Sequence, residues 1–255
     1  MDTAVPRRFG GIARLYGSDT LNRFASAHVC VVGVGGVGSW AVEALARSGI
    51  GALTLVDLDN VAESNVNRQL HALTCDFGKA KVSALHQRIL QINPACRVAE
   101  VEDFVTEDNL TGLFGRPFDF VIDAIDQVRV KAAMAAHFVR NGQPFVVSGG
   151  AGGQKDPALI RSADLGRVTH DPLLANLRYT LRKRYGFTRD TAADMRVPCV
   201  YSLEGITPPQ TAAACTADPA APQGLSCAGY GASMLVTASF GLYCAQAALN
   251  RIAAA

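Results

Sequence analysis

A glycine-rich turn between a strand and a helix constrains this chain most. Residues 28–38 read HVCVVGVGGVG, in which the valines predict a short buried strand that leads into a tight turn. Residues 40–47 continue as a predicted helix. Glycines let a phosphate approach the backbone closely, and the start of the helix offers unpaired N–H groups. The stretch therefore predicts a nucleotide site built on Gly33, Gly35, Gly36 and Gly38.

The rest of the chain can build a core around that site. Of 255 residues, 49% are hydrophobic and 18% are charged, which excludes a globally disordered chain. Strands that alternate with helices predict an α/β fold with a doubly wound, mostly parallel Rossmann-like sheet. After the glycine run at 149–153, we expect an extension that adds short antiparallel strands and helices. The predicted division is a nucleotide-binding core over residues 1–153 and an extension over 154–255.

A polar and cationic cluster follows the second predicted strand. That strand ends at Asp57, which lies at the spacing after Gly38 where a carboxylate accepts hydrogen bonds from a ribose. Up to this point, an NAD-dependent oxidoreductase fits the sequence as well. The residues that follow favour a triphosphate, because Arg68 and Lys81 can neutralise phosphate oxygens and Asn65 can donate an amide hydrogen bond.

A second carboxylate follows the fourth predicted strand, in the sequence IDAID at residues 122–126. Carboxylates at the carboxyl ends of parallel strands face the ligand crevice. Asp126 is therefore a candidate magnesium ligand or a group beside the reacting phosphate. The alternative is an N-cap for the helix predicted over 128–140. The candidate nucleotide ligands beyond the glycines are Asp57, Asp59, Asn65, Arg68, Lys81 and Asp126.

Basic and aromatic residues alternate in the segment 171–189. Positive charge beside aromatic rings suits single-stranded nucleic acid, which is bound by phosphate neutralisation and base stacking. A solvated helix face explains the same pattern. The basic candidates for a nucleic-acid contact are Arg178, Arg182, Lys183 and Arg184.

The apolar C-terminal segment and the cysteines bear on the compartment. Residues 220–250 carry no charge, so a membrane span has to be considered. Polar residues within the segment favour instead a helix buried in the core, and peripheral membrane association is the alternative. Seven cysteines without a CxxC pair predict no zinc site, and with no export signal they fit a reducing cytoplasm. Whether Cys199 or Cys227 has a role is left open.

Several spaced motifs together resemble the adenylating family related to the ubiquitin-activating enzymes. They are GVGGVG, DLDNVAESNVNRQ, a lysine 13 residues after Arg68, and IDAID, and they cover residues 8 to about 150. The motifs RFGGIARLYG, INPACRV, GGAGGQ, DPL, PCVYS and CAGYGA extend the match over nearly the full chain. In this wider set the chain resembles the tRNA threonylcarbamoyladenosine dehydratase branch.

That resemblance implies an ATP-dependent adenylating dehydratase of the ligase class, with an adenylation core and a substrate-binding extension. The four glycines would hold ATP and Asp57 its ribose. Asn65, Arg68 and Lys81 would bind the phosphates, and Asp126 would bind Mg²⁺. Arg68, Lys81 and Asp126 would act in catalysis. The substrate would be threonylcarbamoyladenosine beside the tRNA anticodon, activated at its carboxylate and closed into a ring with loss of water.

The resemblance also implies partners and leaves alternatives. It implies tRNA and a homodimer, and no ubiquitin-like protein. Open points are a cysteine desulfurase or sulfur-acceptor partner, a monovalent cation at residues 149–153, and the arginine that completes the site across a dimer, for which Arg14 is the nearest substitute. The alternative functions are an activator of a small sulfur-carrier protein, an NAD-dependent oxidoreductase and an inactive nucleotide-binding scaffold.

Overall fold

Seven strands form one sheet in the computed structural model, which describes residues 7–116, 118–208 and 230–255. The strands are β1 (His28–Val32), β2 (Ala52–Val56), β3 (Arg97–Val101), β4 (Phe120–Asp123), β5 (Phe145–Ser148), β6 (Ile160–Asp164) and β7 (Pro198–Ser202). The α-helices are α1 (Gly10–Tyr16), α2 (Ser18–Ser26), α3 (Gly38–Arg47), α4 (Lys81–Ile92), α5 (Leu110–Phe114), α6 (Val128–Asn141), α7 (Pro172–Arg184) and α8 (Met234–Ala253).

The order of the strands is β3-β2-β1-β4-β5-β7-β6, and only β6 runs antiparallel to its neighbour. The predicted doubly wound, mostly parallel sheet is therefore confirmed. Strand β1 lies between β2 and β4, so the chain reverses its direction of winding there, and ligands bind at such a point. Strand β7 pairs in parallel with β5, so the sheet continues across residue 153. The division of the chain at that residue stays a prediction.

Helices cover both faces of the sheet because alternate residues of a strand point to opposite sides. Val29 and Val31 of β1 join one apolar cluster with α3, α4 and α8. Cys30 and Val32 join a second cluster with α6 and α7. Burial on both faces explains why β1 reads as a continuous apolar run.

Helix α8 is the uncharged segment that raised the question of a membrane. It packs against α3, β4 and β5 and buries Val236, Phe240 and Cys244. The predicted core helix is therefore confirmed. Within the described ranges, none of the helices combines the length and the apolarity that crossing a bilayer needs. Gly241 permits the close approach of α8 to α3, since a methyl group there would overlap the Val37 carbonyl oxygen and lie 2.9 Å from Ala41 N.

One buried polar side chain lies outside this apolar packing. His71 is 2% exposed, and neither ring nitrogen finds a hydrogen-bond partner among the described residues. Burial, and to a lesser extent the positive charge of Lys81, lower the pKa of His71 from 6.5 to about 4. The imidazole is therefore neutral in the folded protein at pH 7.

Gly241→Ala should reduce the stability of the protein by about 1–3 kcal/mol, because overpacking pushes α8 away from α3. Urea unfolding of the variant and the wild type measures this difference. Gly112→Ala is the matched control, because Gly112 is an exposed helical residue with no atom within 4 Å of an added methyl group. That control should be neutral or slightly stabilising. Equal stability of the two variants would contradict the packing argument.

Acid should destabilise the wild type through His71. The unfolded chain binds a proton below pH 6.5, whereas the folded chain does so only near pH 4. Stability is therefore present above pH 6.5 and is lost as the pH falls towards 4. Between pH 7 and pH 5, the wild type should lose about 2 kcal/mol more than His71→Leu in urea unfolding. His170→Asn, at an exposed histidine, should behave as the wild type.

Candidate active site

A cavity of about 990 Å³ opens at the carboxyl ends of the central strands. Val32 ends β1, Val56 ends β2 and Ser148 ends β5, and all three line this cavity. Its position matches the crevice where ligands bind in open α/β sheets. The cavity is referred to below as the pocket.

The predicted nucleotide residues converge on this pocket. The members of the set that line it are Gly33, Gly35, Gly36, Asp57, Asp59, Asn65, Arg68, Lys81 and Asp126. Gly38 lies at the start of α3, where a methyl group would overlap the carbonyl oxygen of Gly33. Gly38 therefore acts by letting the helix pack tightly on the turn.

Asp57 fixes the glycine turn to the end of β2. One carboxylate oxygen accepts a hydrogen bond from Val34 N at 2.8 Å, and the other accepts one from Asp59 N at 2.9 Å. Burial raises the pKa of Asp57, and this rise is opposed by the charge of Lys81 and by the two N–H donors. Each oxygen keeps a lone pair that can accept from a ribose hydroxyl.

Lys81 brings a buried positive charge to the pocket. It is the first residue of α4, and its ammonium group lies 2.7 Å from a carboxylate oxygen of Asp59. The side chain of Lys81 is 7% exposed, whereas that of Asp59 is 59% exposed. Since one ammonium carries three protons, two remain for phosphate oxygens while Asp59 orients the group.

The loop before α4 supplies the other polar candidates. Arg68 donates to Ser64 O at 2.8 Å and to the Asn67 side-chain oxygen at 3.0 Å, so the guanidinium is oriented along the pocket wall. Burial lowers the pKa of Arg68, which remains charged. The Asn65 oxygen accepts from Ala62 N at 3.1 Å, which leaves the amide NH₂ to donate to a ligand.

Asp126 fits a magnesium ligand better than a helix cap. The N-cap residue of α6 is Gln127, so Asp126 does not take the capping position. Asp126 is half-buried and lines the pocket. In the ranges that the structure describes, no group of three or more His, Cys, Asp or Glu side chains could hold a metal. Mg²⁺ commonly binds through one or two carboxylates together with substrate phosphates, and the single carboxylate of Asp126 in the pocket is compatible with such a site.

Sequence reasoning missed several residues of the pocket. Phe104 follows β3, and Tyr230 precedes α8. Asp171 also lines the pocket, although the sequence DPL at residues 171–173 predicted only membership of the family and no role in the site. The glycine run at 149–153 contributes Gly149, Gly150 and Gly152 to the wall, and the glycines were its sequence signal.

The basic segment forms helix α7, and its cations differ in their surroundings. Arg178 donates to the carbonyl oxygens of Leu165 and Val168, and Arg182 donates to that of Thr188. These two guanidinium groups therefore brace the loops next to the helix. The remaining candidates lie nearer the solvent.

Lys183 and Arg184 are exposed near the end of α7. The Lys183 ammonium lies 5.5 Å from the ring centroid of Tyr179, which is 61% exposed. Arg184 lies 3.6 Å from a carboxylate oxygen of Glu107. A cation beside an open aromatic ring is an arrangement that can bind a phosphate and stack a base.

Among the residues that the structure describes, no cysteine lines the pocket, so none is placed there as a nucleophile. Cys199 is buried in β7, and burial raises the pKa of its thiol well above the ordinary value. A thiol that stays protonated is a poor nucleophile. Cys227 lies outside the described residues.

Comparison with known proteins gives the chain its family. The ThiF family model matches residues 10–254. The tRNA threonylcarbamoyladenosine dehydratase of Escherichia coli is 49% identical over 97% of this chain and 94% of its own length. The enzyme of that name in Haemophilus influenzae is 43% identical over 96% of this chain and 93% of its own length.

Solved structures agree with the sequence comparison. The crystal structure of the E. coli dehydratase in complex with ATP has a TM-score of 0.88 at 47% identity and covers 97% of this chain and 94% of that one. The complex with AMP also has a TM-score of 0.88. The family resemblance inferred from the motifs is thus confirmed. With a match across nearly all of its length, this chain belongs to the ThiF family and is similar throughout to the tRNA threonylcarbamoyladenosine dehydratases.

Proposed function

We propose that this protein uses ATP to dehydrate threonylcarbamoyladenosine beside the tRNA anticodon into a cyclic product. The observation that carries the proposal is the convergence of Lys81, Arg68 and Asp126 on one pocket beside the glycine turn. A buried ammonium and a guanidinium suit a triphosphate better than a nicotinamide dinucleotide, because the glycine turn alone can bind the diphosphate of a dinucleotide. The names of the relatives and the ATP and AMP complexes of the E. coli enzyme support the same reaction.

The first step is activation of the substrate carboxylate. A carboxylate oxygen of the threonine moiety attacks the α-phosphorus of ATP, the bond to the leaving phosphate breaks, and an acyl-adenylate and pyrophosphate form. Both reactants are anions, so Lys81 and Arg68 lower the barrier by stabilising the negative charge on the phosphates. Magnesium held by Asp126 would neutralise further phosphate charge.

The second step closes the ring. An atom of the neighbouring carbamoyl group attacks the activated carbonyl carbon, AMP leaves, and the attacking group loses a proton. The nucleoside loses one water overall, and its oxygen departs with AMP. The reaction is intramolecular, so proximity supplies much of the rate and no enzyme nucleophile is needed. The buried, protonated thiol of Cys199 is compatible with this scheme.

Residues 154–255 would bind the tRNA, with helix α7 as the contact surface. Lys183 and Arg184 would neutralise phosphates and Tyr179 would stack a base, since all three side chains are exposed. Arg178 and Arg182 would act mainly by bracing the loops beside the helix, because their guanidinium groups already donate to carbonyl oxygens.

The proposal extends to the assembly and the ions. A homodimer would cover the exposed apolar side chains Leu235, Leu242 and Tyr243 on α8. The glycine run at 149–153 would hold a monovalent cation through carbonyl oxygens. A cytoplasmic location fits an enzyme that acts on tRNA, and a cysteine desulfurase or sulfur acceptor would be an accessory partner.

Lys81→Ala and Asp126→Asn should each slow the reaction about a hundredfold or more, because each removes a group that stabilises transition-state charge. The measurement is AMP release with modified tRNA, together with an 18-dalton mass loss from the nucleoside. Lys79→Ala is the matched control, because Lys79 is 43% exposed, pairs with Asp76 and lies outside the pocket lining. Near-normal turnover of both pocket variants would contradict the proposal, and pyrophosphate exchange that depends on a small protein would favour a sulfur-carrier activator.

The double variant Lys183→Ala, Arg184→Ala should weaken tRNA binding roughly tenfold or more at about 0.1 M salt. Because two phosphate contacts are lost, the slope of log affinity against log salt concentration should become shallower by about two. Filter binding across a range of salt concentrations measures both quantities. Arg47→Ala, Arg251→Ala removes the same charge from exposed positions on α3 and α8 and serves as the control. An unchanged salt slope in the α7 variant would remove this helix from the tRNA surface.

A further inference from the structure

We propose that Asp171 is a positioning residue that ties the basic helix α7 to the glycine run at 149–153 and so holds the acceptor side of the pocket in place. The inference rests on the proposed function, because it assigns the α7 side of the pocket to the tRNA substrate. Nothing in the two-step reaction itself requires this carboxylate.

The carboxylate of Asp171 bridges two separate segments. It is 4% exposed and forms the N-cap of α7, where one oxygen accepts from Leu174 N at 3.0 Å. The second oxygen accepts from Gly150 N at 3.0 Å. Both Asp171 and Gly150 line the pocket. A single side chain therefore connects the start of the helix to the pocket wall.

The glycine run is packed tightly against this carboxylate. A methyl group on Gly149 would overlap the Asp171 oxygen that Gly150 contacts. Gly149 N donates to Val200 O at 2.8 Å, which fixes the other side of the run to β7. The first two glycines of the run are thus held between the sheet and the N-terminus of α7.

A buried ion pair lies at the turn that leads to Asp126. Lys131 is fully buried and lies 2.8 Å from a carboxylate oxygen of Asp123. That oxygen also accepts from Ile125 N at 3.2 Å, which shapes the turn that leads to Asp126. Burial raises the pKa of Asp171; the backbone N–H donors of Leu174, Gly150 and Leu173 oppose that rise, and the charge of Lys131 adds a smaller opposing effect. One buried cation therefore pairs with Asp123 beside the Asp126 turn and also acts electrostatically on Asp171, which holds the glycine run.

A helix cap alone does not require this arrangement. Capping needs one acceptor oxygen, and serine or asparagine provides it without the cost of burying a charge. The second oxygen of Asp171 is directed instead to the pocket wall, 3.0 Å from Gly150 N. A displacement of α7 when RNA binds would therefore move the pocket wall at Gly150. Small misplacements at a reaction centre have large effects on rate.

The variant Asp171→Ser separates the two contacts. Serine retains an oxygen that caps α7 but cannot also reach Gly150 N. We expect kcat for tRNA dehydration to fall by about ten- to a hundredfold. The KM for ATP and the Kd for tRNA should stay within about twofold of the wild type, because the phosphate ligands and the exposed face of α7 are unchanged. Asp156→Ser, at a capping aspartate outside the pocket lining, is the matched control and should be unaffected.

Hydrogen exchange tests the positioning without relying on turnover. In Asp171→Ser, the amides at 149–153 should exchange faster while those of α7 remain protected. Asp171→Asn, which keeps the size and the cap but places an NH₂ group towards Gly150 N, should give the same pattern and covers the case where the serine variant folds poorly.

Three outcomes would overturn the inference. The first is unchanged amide exchange at residues 149–153 in the Asp171 variants, and the second is an unchanged kcat. The third is a loss of protection in α7 together with a matching loss of tRNA affinity, because a simple helix cap would give that result. If the wild type released no AMP with modified tRNA, the proposed function would fail, and hydrogen exchange would still decide whether Asp171 holds the glycine run.

Discussion

The attachment of the glycine turn to the end of β2 through Asp57 is the interaction on which the pocket depends. The hydrogen bond from Val34 N to Asp57 fixes the backbone of the turn relative to the second strand. Strand β2 then leads directly into the loop that carries Asp59, Asn65 and Arg68. If this attachment were loose, these candidate phosphate ligands and the turn would move independently, and ordering them would reduce the free energy of binding.

The cations of the pocket, of the core and of α7 differ in burial and in partners. Lys81 is nearly buried, but its partner Asp59 is exposed, so the ammonium group can still donate hydrogen bonds to a ligand. Lys131 is fully buried, and its charge is neutralised by the buried carboxylate of Asp123. Arg178 and Arg182 are bound to carbonyl oxygens, whereas Lys183 lies beside an open ring. Burial and partners, more than residue type, thus determine which cations can meet a substrate.

Local patterns were enough for much of the fold and the site. The apolar runs and the glycine spacing predicted β1, α3 and the parallel sheet, because burial on two faces leaves a direct trace in sequence. The strand-end rule placed Asp57 and Asp126 at one crevice, and both line the pocket. Asp171 and Tyr230 could not be found in this way, because their approach to the pocket depends on how α7 and α8 pack on the sheet.

The amino-acid sequence by itself determined the fold class and the family and predicted most of the polar residues that line the pocket, because each of these depends on short-range spacing around strands and turns. The tertiary structure confirmed that α8 is a core helix, and only the tertiary structure showed that Gly38 acts by packing and that the cations of α7 differ in their partners. The physical reason is that burial, and the hydrogen bonds it forces buried polar groups to make, arise between segments far apart in the chain. A one-dimensional pattern does not contain those distances.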